Sequence, residues 1–174
     1  RIETPDAHTR IVHGVGLHGL KASAEALDCG NAGTGMRLLT GLLSAQAFDS
    51  VLVGDASLSK RPMARVIRLL EAMGAHIDAR DGNFAPLRIH GGRVLQGQSV
   101  DTQVASAQVK SALIFAALYA EGETVITEPR PTRDYTESML KALGWPITFE
   151  PGRVALCGGG RLHAVNFRIP GDIS

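Results

Sequence analysis

Two copies of one pattern run through this chain, and the repeat limits its fold more than composition does. Residues 33–51 map onto residues 107–125, each stretch an apolar helical segment, a short turn and a strand-like run. Leu69-Leu70-Glu71-Ala72-Met73-Gly74 maps in the same way onto Met139-Leu140-Lys141-Ala142-Leu143-Gly144. Each unit, within residues 31–100 and 105–174, therefore reads buried helix, strand, polar basic loop, amphipathic helix, hairpin. Such a supersecondary unit cannot bury its apolar face alone and stacks on copies of itself. Symmetry between copies places corresponding loops on one rim, so the helix starts at Thr34 and Gln108 are expected to face a shared site. The fold class is α/β (α+β), built from these repeated units around buried helices.

Local chemistry supplies the elements. Strands are expected over residues 9–15, 26–29, 50–55, 124–127 and from 167 onward, and a mostly buried helix over 34–45. Gly35 and Gly41 lower the intrinsic propensity of that helix, so packing has to hold it. Residues 57–61 read as a polar loop, with Pro62 as a first helical residue, where its missing N–H costs nothing. Met63, Val66, Ile67, Leu70 and Met73 then recur at three and four, the mark of one apolar face, and Gly74 closes the helix. Asp81-Gly82-Asn83 joins residues 75–80 to 87–90 as a hairpin. Residues 112–120 are apolar on nearly every side and form a central helix with Ser106 near its cap. A further helix carries Met139, Leu140 and Leu143 and stops at Gly144, and a second hairpin spans 147–156. Pro170-Gly171-Asp172-Ile173-Ser174 reads as a turn into another helix.

Charge and cysteine content narrow the function. The 174 residues, 44% hydrophobic, suffice for one sizeable core. A formal net charge of +1 with no Lys/Arg stripe gives no electrostatic footprint for nucleic acid. Cys29 and Cys157 lack metal-ligand spacing and are too few for a disulfide framework, which fits a reducing cytoplasmic setting. No run approaches a membrane span. The chain opens on Arg1-Ile2-Glu3-Thr4-Pro5 within folded-looking sequence and is expected to be a piece of a longer protein.

The chemistry gathers around Asp28-Cys29-Gly30-Asn31-Ala32-Gly33-Thr34-Gly35-Met36-Arg37. A Gly-rich loop before a helix lets backbone N–H groups approach an anion, and the helix start adds partial positive charge. A turn that lets a buried helix pack closely would look the same. Met36-Arg37 stands where a Walker loop needs Lys-Ser/Thr, and no Gly-x-Gly-x-x-Gly occurs in register. Lys60 and Arg61 put cations at a helix start, the unfavourable end unless an anion binds there. Arg37 is a second such cation, facing a ligand oxygen or pairing with Asp28 or Asp55. Arg133 stands in the equivalent loop of the second copy, as a ligand contact or as a structural partner of Asp134. Ser106 explains itself as a cap; Gln108, a poor cap, has an amide free for phosphate or carboxylate oxygens. The six histidines show no ligand spacing, and Cys29 has no assignable base, so it reads as a small buried hydrophobe.

Four motifs carry a resemblance: the Leu27-to-Arg37 loop, Gly54-Asp55-Ala56-Ser57-Leu58-Ser59-Lys60-Arg61-Pro62-Met63, Ala105-Ser106-Ala107-Gln108-Val109-Lys110-Ser111-Ala112 and Thr132-Arg133-Asp134-Tyr135-Thr136-Glu137. In this order, and nearly end to end, the chain resembles the 5-enolpyruvylshikimate-3-phosphate (EPSP) synthase family. The resemblance implies part of the N-terminal lobe of a two-lobed, inside-out α/β barrel, with the first unit truncated and the C-terminal lobe outside the sequence. It implies transfer of the enolpyruvyl group of phosphoenolpyruvate to the 5-hydroxyl of shikimate 3-phosphate, with release of phosphate, no cofactor and no metal. Competition by glyphosate and a monomeric full-length enzyme, without nucleic-acid or membrane partners, belong to the same expectation.

Carried over by position, Gly33 lines the phosphoenolpyruvate pocket and Arg61 binds that ligand. Ser106, Ala107 and Thr132 lie at the phosphate of shikimate 3-phosphate, Thr132 where Ser is usual, and Gln108 reaches both ligands. Asn31, Thr34, Arg37 and Arg133 shape the cleft. The family's early Lys-Ser…Arg motif and its general acid/base groups fall outside the sequence, so the chain alone is expected not to turn over. A UDP-N-acetylglucosamine enolpyruvyl transferase shares donor and architecture, but its loop cysteine has no counterpart in Cys29 or Cys157. A non-catalytic phosphoanion-binding module is the remaining alternative.

Overall fold

The computed structural model describes residues 1–168. A short antiparallel pair, β1 (Ile2–Glu3) and β2 (Ile11–Val12), precedes the two units. The first runs β3 (Leu27–Asp28), α1 (Gly33–Leu43), β4 (Ser50–Val53), α2 (Ala64–Ala72), β5 (His76–Arg80) and β6 (Phe84–His90). The second runs β7 (Ser99–Asp101), α3 (Ala107–Ala117), β8 (Glu123–Thr127), α4 (Tyr135–Ala142), β9 (Ile147–Glu150) and β10 (Arg153–Cys157). Their sheets have the same order, β3-β4-β6-β5 and β7-β8-β10-β9. In each, the first two strands are parallel across a buried helix and the rest are antiparallel.

Helix α3 is the hub. Val109, Ala112, Leu113, Ile114, Ala116 and Ala117 are all buried, and so are Lys110 and Ser111, as expected for a helix enclosed by its neighbours. It crosses α1 at backbone distance. A Cβ on Gly41 would lie 2.0 Å from the Ala112 carbonyl oxygen, so only glycine permits this approach. The propensity lost at Gly41 is thus exchanged for helix–helix contact.

Helix α2 buries Val66, Ile67 and Leu70, flanked by the buried Met63 and Met73, which is the face the spacing indicates. Gly74 closes it with φ +102. Pro62, however, is not helical. The helix begins at Ala64, and Asn83 Oδ1 from the β5–β6 turn accepts from Met63 N–H at 3.0 Å and Ala64 N–H at 2.8 Å. This cap from a distant turn sets the start where local sequence could not.

Other readings are adjusted in similar ways. The strand expected over 9–15 shrinks to Ile11–Val12, and its partner Ile2–Glu3 carries no periodic signal. The polar loop holds a 3₁₀ turn, Leu58–Lys60, folded over the buried Leu58. Met139 is exposed, because α4 turns Glu137 and Leu140 inward instead. Phe167 and Arg168 belong to no strand; the remainder of that expectation, and the turn at 170–174, lie outside the described residues.

An ion triad ties the second unit together. Lys110 Nζ donates to Glu128 Oε2 at 2.9 Å and to Glu137 Oε1 at 2.8 Å, with all three side chains nearly or fully buried. Burial alone would lower the Lys110 pKa. The hydrogen bonds to Glu137 and Glu128 outweigh it, and the pKa is raised. No helix among the described residues is long and apolar enough to cross a membrane.

Candidate phosphoanion-binding cleft

The first turns of α1 and α3 meet. Arg37 Nη1 donates to Gln108 Oε1 at 2.8 Å and to the Gly33 carbonyl at 3.3 Å, while Nη2 donates to the Pro62 carbonyl at 3.1 Å. Arg37 therefore spans both helix starts and the loop before α2, and it pairs with neither Asp28 nor Asp55. Those carboxylates serve the backbone: Asp28 accepts from Gly30 N–H at 2.8 Å, Asp55 from Leu58 N–H at 2.7 Å.

Arg61 reaches the same place from the other side. Its Nη2 donates to Asn31 Oδ1, and Asn31 Nδ2 donates to Asp55 Oδ2 at 2.7 Å. Gly33 lies against both guanidiniums: a Cβ there would sit 3.0 Å from Arg61 Nη1 and 3.2 Å from Arg37 Nη1. Lys60 ends the 3₁₀ turn and Arg61 follows it, both ahead of Ala64, so neither stands in the first turn of α2.

A cleft of about 940 Å³ is lined by Arg37, Ser106, Ala107, Gln108 and Arg133, and by Arg65, Arg68 and Glu71 of α2, while Asn31, Gly33 and Arg61 lie outside its lining. Thr34 lies on an adjoining recess that shares Ala107, Gln108 and Arg133. The start of α1 has no side-chain cap, and Ser106 caps α3 by accepting from Val109 N–H at 3.4 Å. First-turn N–H groups left without a side-chain cap are donors open to an anion.

Electrostatics sharpen the arrangement. Among the described residues, none of Arg37, Arg61, Arg65, Arg68 and Arg133 forms a salt bridge, and Arg133 does not pair with Asp134. Burial, then the positive charges of Arg61 and Arg65, push the Arg37 pKa down, although a guanidinium keeps its proton. Clustered cations without carboxylate partners repel one another, and a polyanionic ligand relieves that repulsion.

Thr132 is placed elsewhere. Its hydroxyl donates to the Glu128 carboxylate at 2.8 Å, and it lines a separate cavity with Lys110 and Glu137. Cys29 packs against the core; burial, then the Asp28 charge, raise its thiol pKa, which suppresses the nucleophilic thiolate. Arg65 and Arg68 were missed, although two arginines three apart on α2, beyond a basic loop, are a readable sign of a cationic helix face.

Repeated units that converge two buried-helix starts on a cationic cleft define an α/β architecture suited to phosphorylated or carboxylated small molecules. A sequence model of EPSP synthase (3-phosphoshikimate 1-carboxyvinyltransferase) matches residues 2–174, and the chain belongs to that family. It is 62% identical over all 174 residues to a 3-phosphoshikimate 1-carboxyvinyltransferase of Xanthomonas euvesicatoria, and 61% identical to one of Xanthomonas campestris. It spans about 40% of the length of these curated relatives. A solved structure of EPSP synthase from Acinetobacter baumannii superposes with a TM-score of 0.95 at 53% identity, covering 99% of this chain and 39% of that one. The architecture is that of one lobe of the enolpyruvyl transferase, inside-out barrel fold.

Proposed function

We propose that the protein carrying this chain transfers the enolpyruvyl group of phosphoenolpyruvate to the 5-hydroxyl of shikimate 3-phosphate, with release of phosphate. The observation that carries the reading is the bridge from Arg37 to Gln108, set among unpaired arginines at two helix starts. Both proposed substrates carry a phosphate and a carboxylate, and their encounter brings like charges together. Arg61, with Gly33 giving close access, holds phosphoenolpyruvate, while Arg37 shapes the cleft by fixing Gln108, which reaches both ligands. Ser106, Ala107 and Gln108 hold the phosphate of shikimate 3-phosphate, beside Arg133. Asn31 fixes the Arg61 guanidinium, and Thr34 shapes the adjoining recess. Thr132, next to Arg133, supplies a further hydroxyl near the phosphate of shikimate 3-phosphate, and Glu128 holds its side chain.

This surface contributes electrostatics and orientation. Neutralising two anions permits their approach, and fixed guanidiniums need no reorganisation as charge moves toward the leaving phosphate. The acid and base that protonate the enol carbon and take the hydroxyl proton belong to residues outside this sequence. The chain alone therefore binds without turning over, and the reaction takes place in the cytoplasm.

The test is phosphate release by the full-length protein. Release should require both substrates, and Arg61→Ala should lower kcat/KM for phosphoenolpyruvate about 10- to 100-fold, the worth of a charged hydrogen bond. Phosphate release independent of shikimate 3-phosphate would overturn the acceptor, and an unchanged Arg61→Ala would overturn the residue assignment.

A further inference from the structure

The hairpin of β5 and β6 carries a second constellation, one that separation in sequence conceals. Strand alternation turns Ile77 into the core at 5% exposure and sends His76 and Asp78 to the outer face. The register sets His76 directly opposite His90, and Asp78 opposite Arg88. The two imidazoles stack with centroids 4.3 Å apart and planes inclined by 20°. Asp78 bridges them, Oδ2 lying 2.8 Å from His90 Nε2 and Oδ1 3.7 Å from His76 Nε2.

One donor atom from each of the three residues lies within 4.8 Å of the others. Two imidazole nitrogens and a carboxylate oxygen form the borderline donor set preferred by late first-row divalent ions, with bonds of about 2.0–2.2 Å. All three side chains reach solvent, so small rotations can draw the donors inward around an ion. Asp49 lies beyond them, its Oδ2 3.9 Å from His90 Nδ1, too far for a hydrogen bond but near enough to add negative charge beside the site.

We infer that His76, Asp78 and His90 form a binding site for one divalent transition-metal ion of the Zn²⁺, Ni²⁺ or Cu²⁺ class, open to solvent and separate from the cationic cleft. Arg88, facing Asp78, opposes the ion electrostatically and weakens its binding. Water completes the coordination sphere. Because the ligands come from both strands, the ion clamps the open end of the hairpin whose turn, at Asn83, caps α2.

Calorimetric titration of ZnCl₂ and NiCl₂ into the full chain tests the site, with MgCl₂ as a hard-cation control. One saturable event per chain is expected for Zn²⁺ and Ni²⁺ and none for Mg²⁺. His76→Ala and His90→Ala, each checked for native circular dichroism, should weaken binding at least about tenfold. A second readout needs no variant: Ni²⁺ should broaden the imidazole resonances of His76 and His90 before those of His8, His13, His18 and His163. Absence of a saturable event, undiminished affinity in both variants, or broadening that begins at other histidines would each overturn the inference.

Discussion

Arg37 Nη1 donates to Gln108 Oε1 at 2.8 Å, a bond from the first turn of α1 to the first turn of α3. It couples the two units at the point where their helix starts converge. If the bond orders both side chains for a ligand, Arg37→Ala and Gln108→Ala should be non-additive. A double-mutant cycle on shikimate 3-phosphate affinity is expected to give a coupling of about 1–2 kcal/mol. Additive losses would mean that the two side chains act independently.

Gly33 makes a sharper distinction between fold and site. The atoms crowding a Cβ at this position are the ends of the flexible Arg61 and Arg37 side chains, not backbone. Gly33→Ala should therefore change stability by less than about 1 kcal/mol, while moving both guanidiniums and weakening phosphoenolpyruvate binding in the full-length protein. Denaturation and ligand titration on one preparation separate the two effects. Unaltered binding would remove Gly33 from the site.

Gly41 predicts the reverse. An added methyl would meet the Ala112 carbonyl oxygen at 2.0 Å, and neither helix backbone can yield cheaply. Overpacking costs about 1–3 kcal/mol, and here the upper end is expected, against a helix-propensity gain of about 1 kcal/mol at most. The urea midpoint of Gly41→Ala should fall accordingly. A midpoint equal to that of the parent chain would show that α1 and α3 are not in backbone contact.

Lys110 should matter through burial. Lys110→Met leaves Glu128 and Glu137 buried without their cation, at an expected cost of about 3–5 kcal/mol. The raised pKa fixes the direction of the pH dependence. The contribution is fully present below the unfolded value of about 10.4 and is lost as pH rises through the higher folded value. Thermal midpoints of parent and variant should differ evenly up to about pH 10 and converge only beyond it. Convergence near neutrality would contradict a charged triad.

Asp55 behaves in the opposite sense. The Leu58 N–H, then the Asn31 amide, hold its carboxyl below the usual carboxylate range. Its support of the loop is present above the unfolded value of about 3.9 and is lost as pH falls through the lower folded value. The Leu58 amide resonance should therefore titrate below about pH 3.9. A midpoint above that would mean the carboxylate is not held by the loop.

Much of the fold was legible because the repeat is written in hydrophobic spacing. The face of Met63, Val66, Ile67, Leu70 and Met73 and the strands after each buried helix need no tertiary information. What failed depended on distant partners. Pro62 stays outside α2 because Asn83 caps that helix two residues later. Met139 faces solvent because Glu137 turns inward to Lys110, an exchange that hydrophobicity alone would not suggest.

The cleft divides in the same way. The arginines and the Gln108 amide could be picked out singly, but the bond from Arg37 to Gln108 joins residues from different copies of the repeat, and spacing says nothing of it. The His76, Asp78 and His90 cluster was closer to hand, since the hairpin around Asp81-Gly82-Asn83 already implied a register. Reading histidines by linear spacing hid it.

The most direct measurement is a calorimetric titration of shikimate 3-phosphate into this polypeptide, repeated at raised salt and with Arg37→Ala. A preformed phosphoanion surface predicts weak, saturable heat that diminishes with salt and is lost in the variant. No heat from a demonstrably folded sample would contradict it.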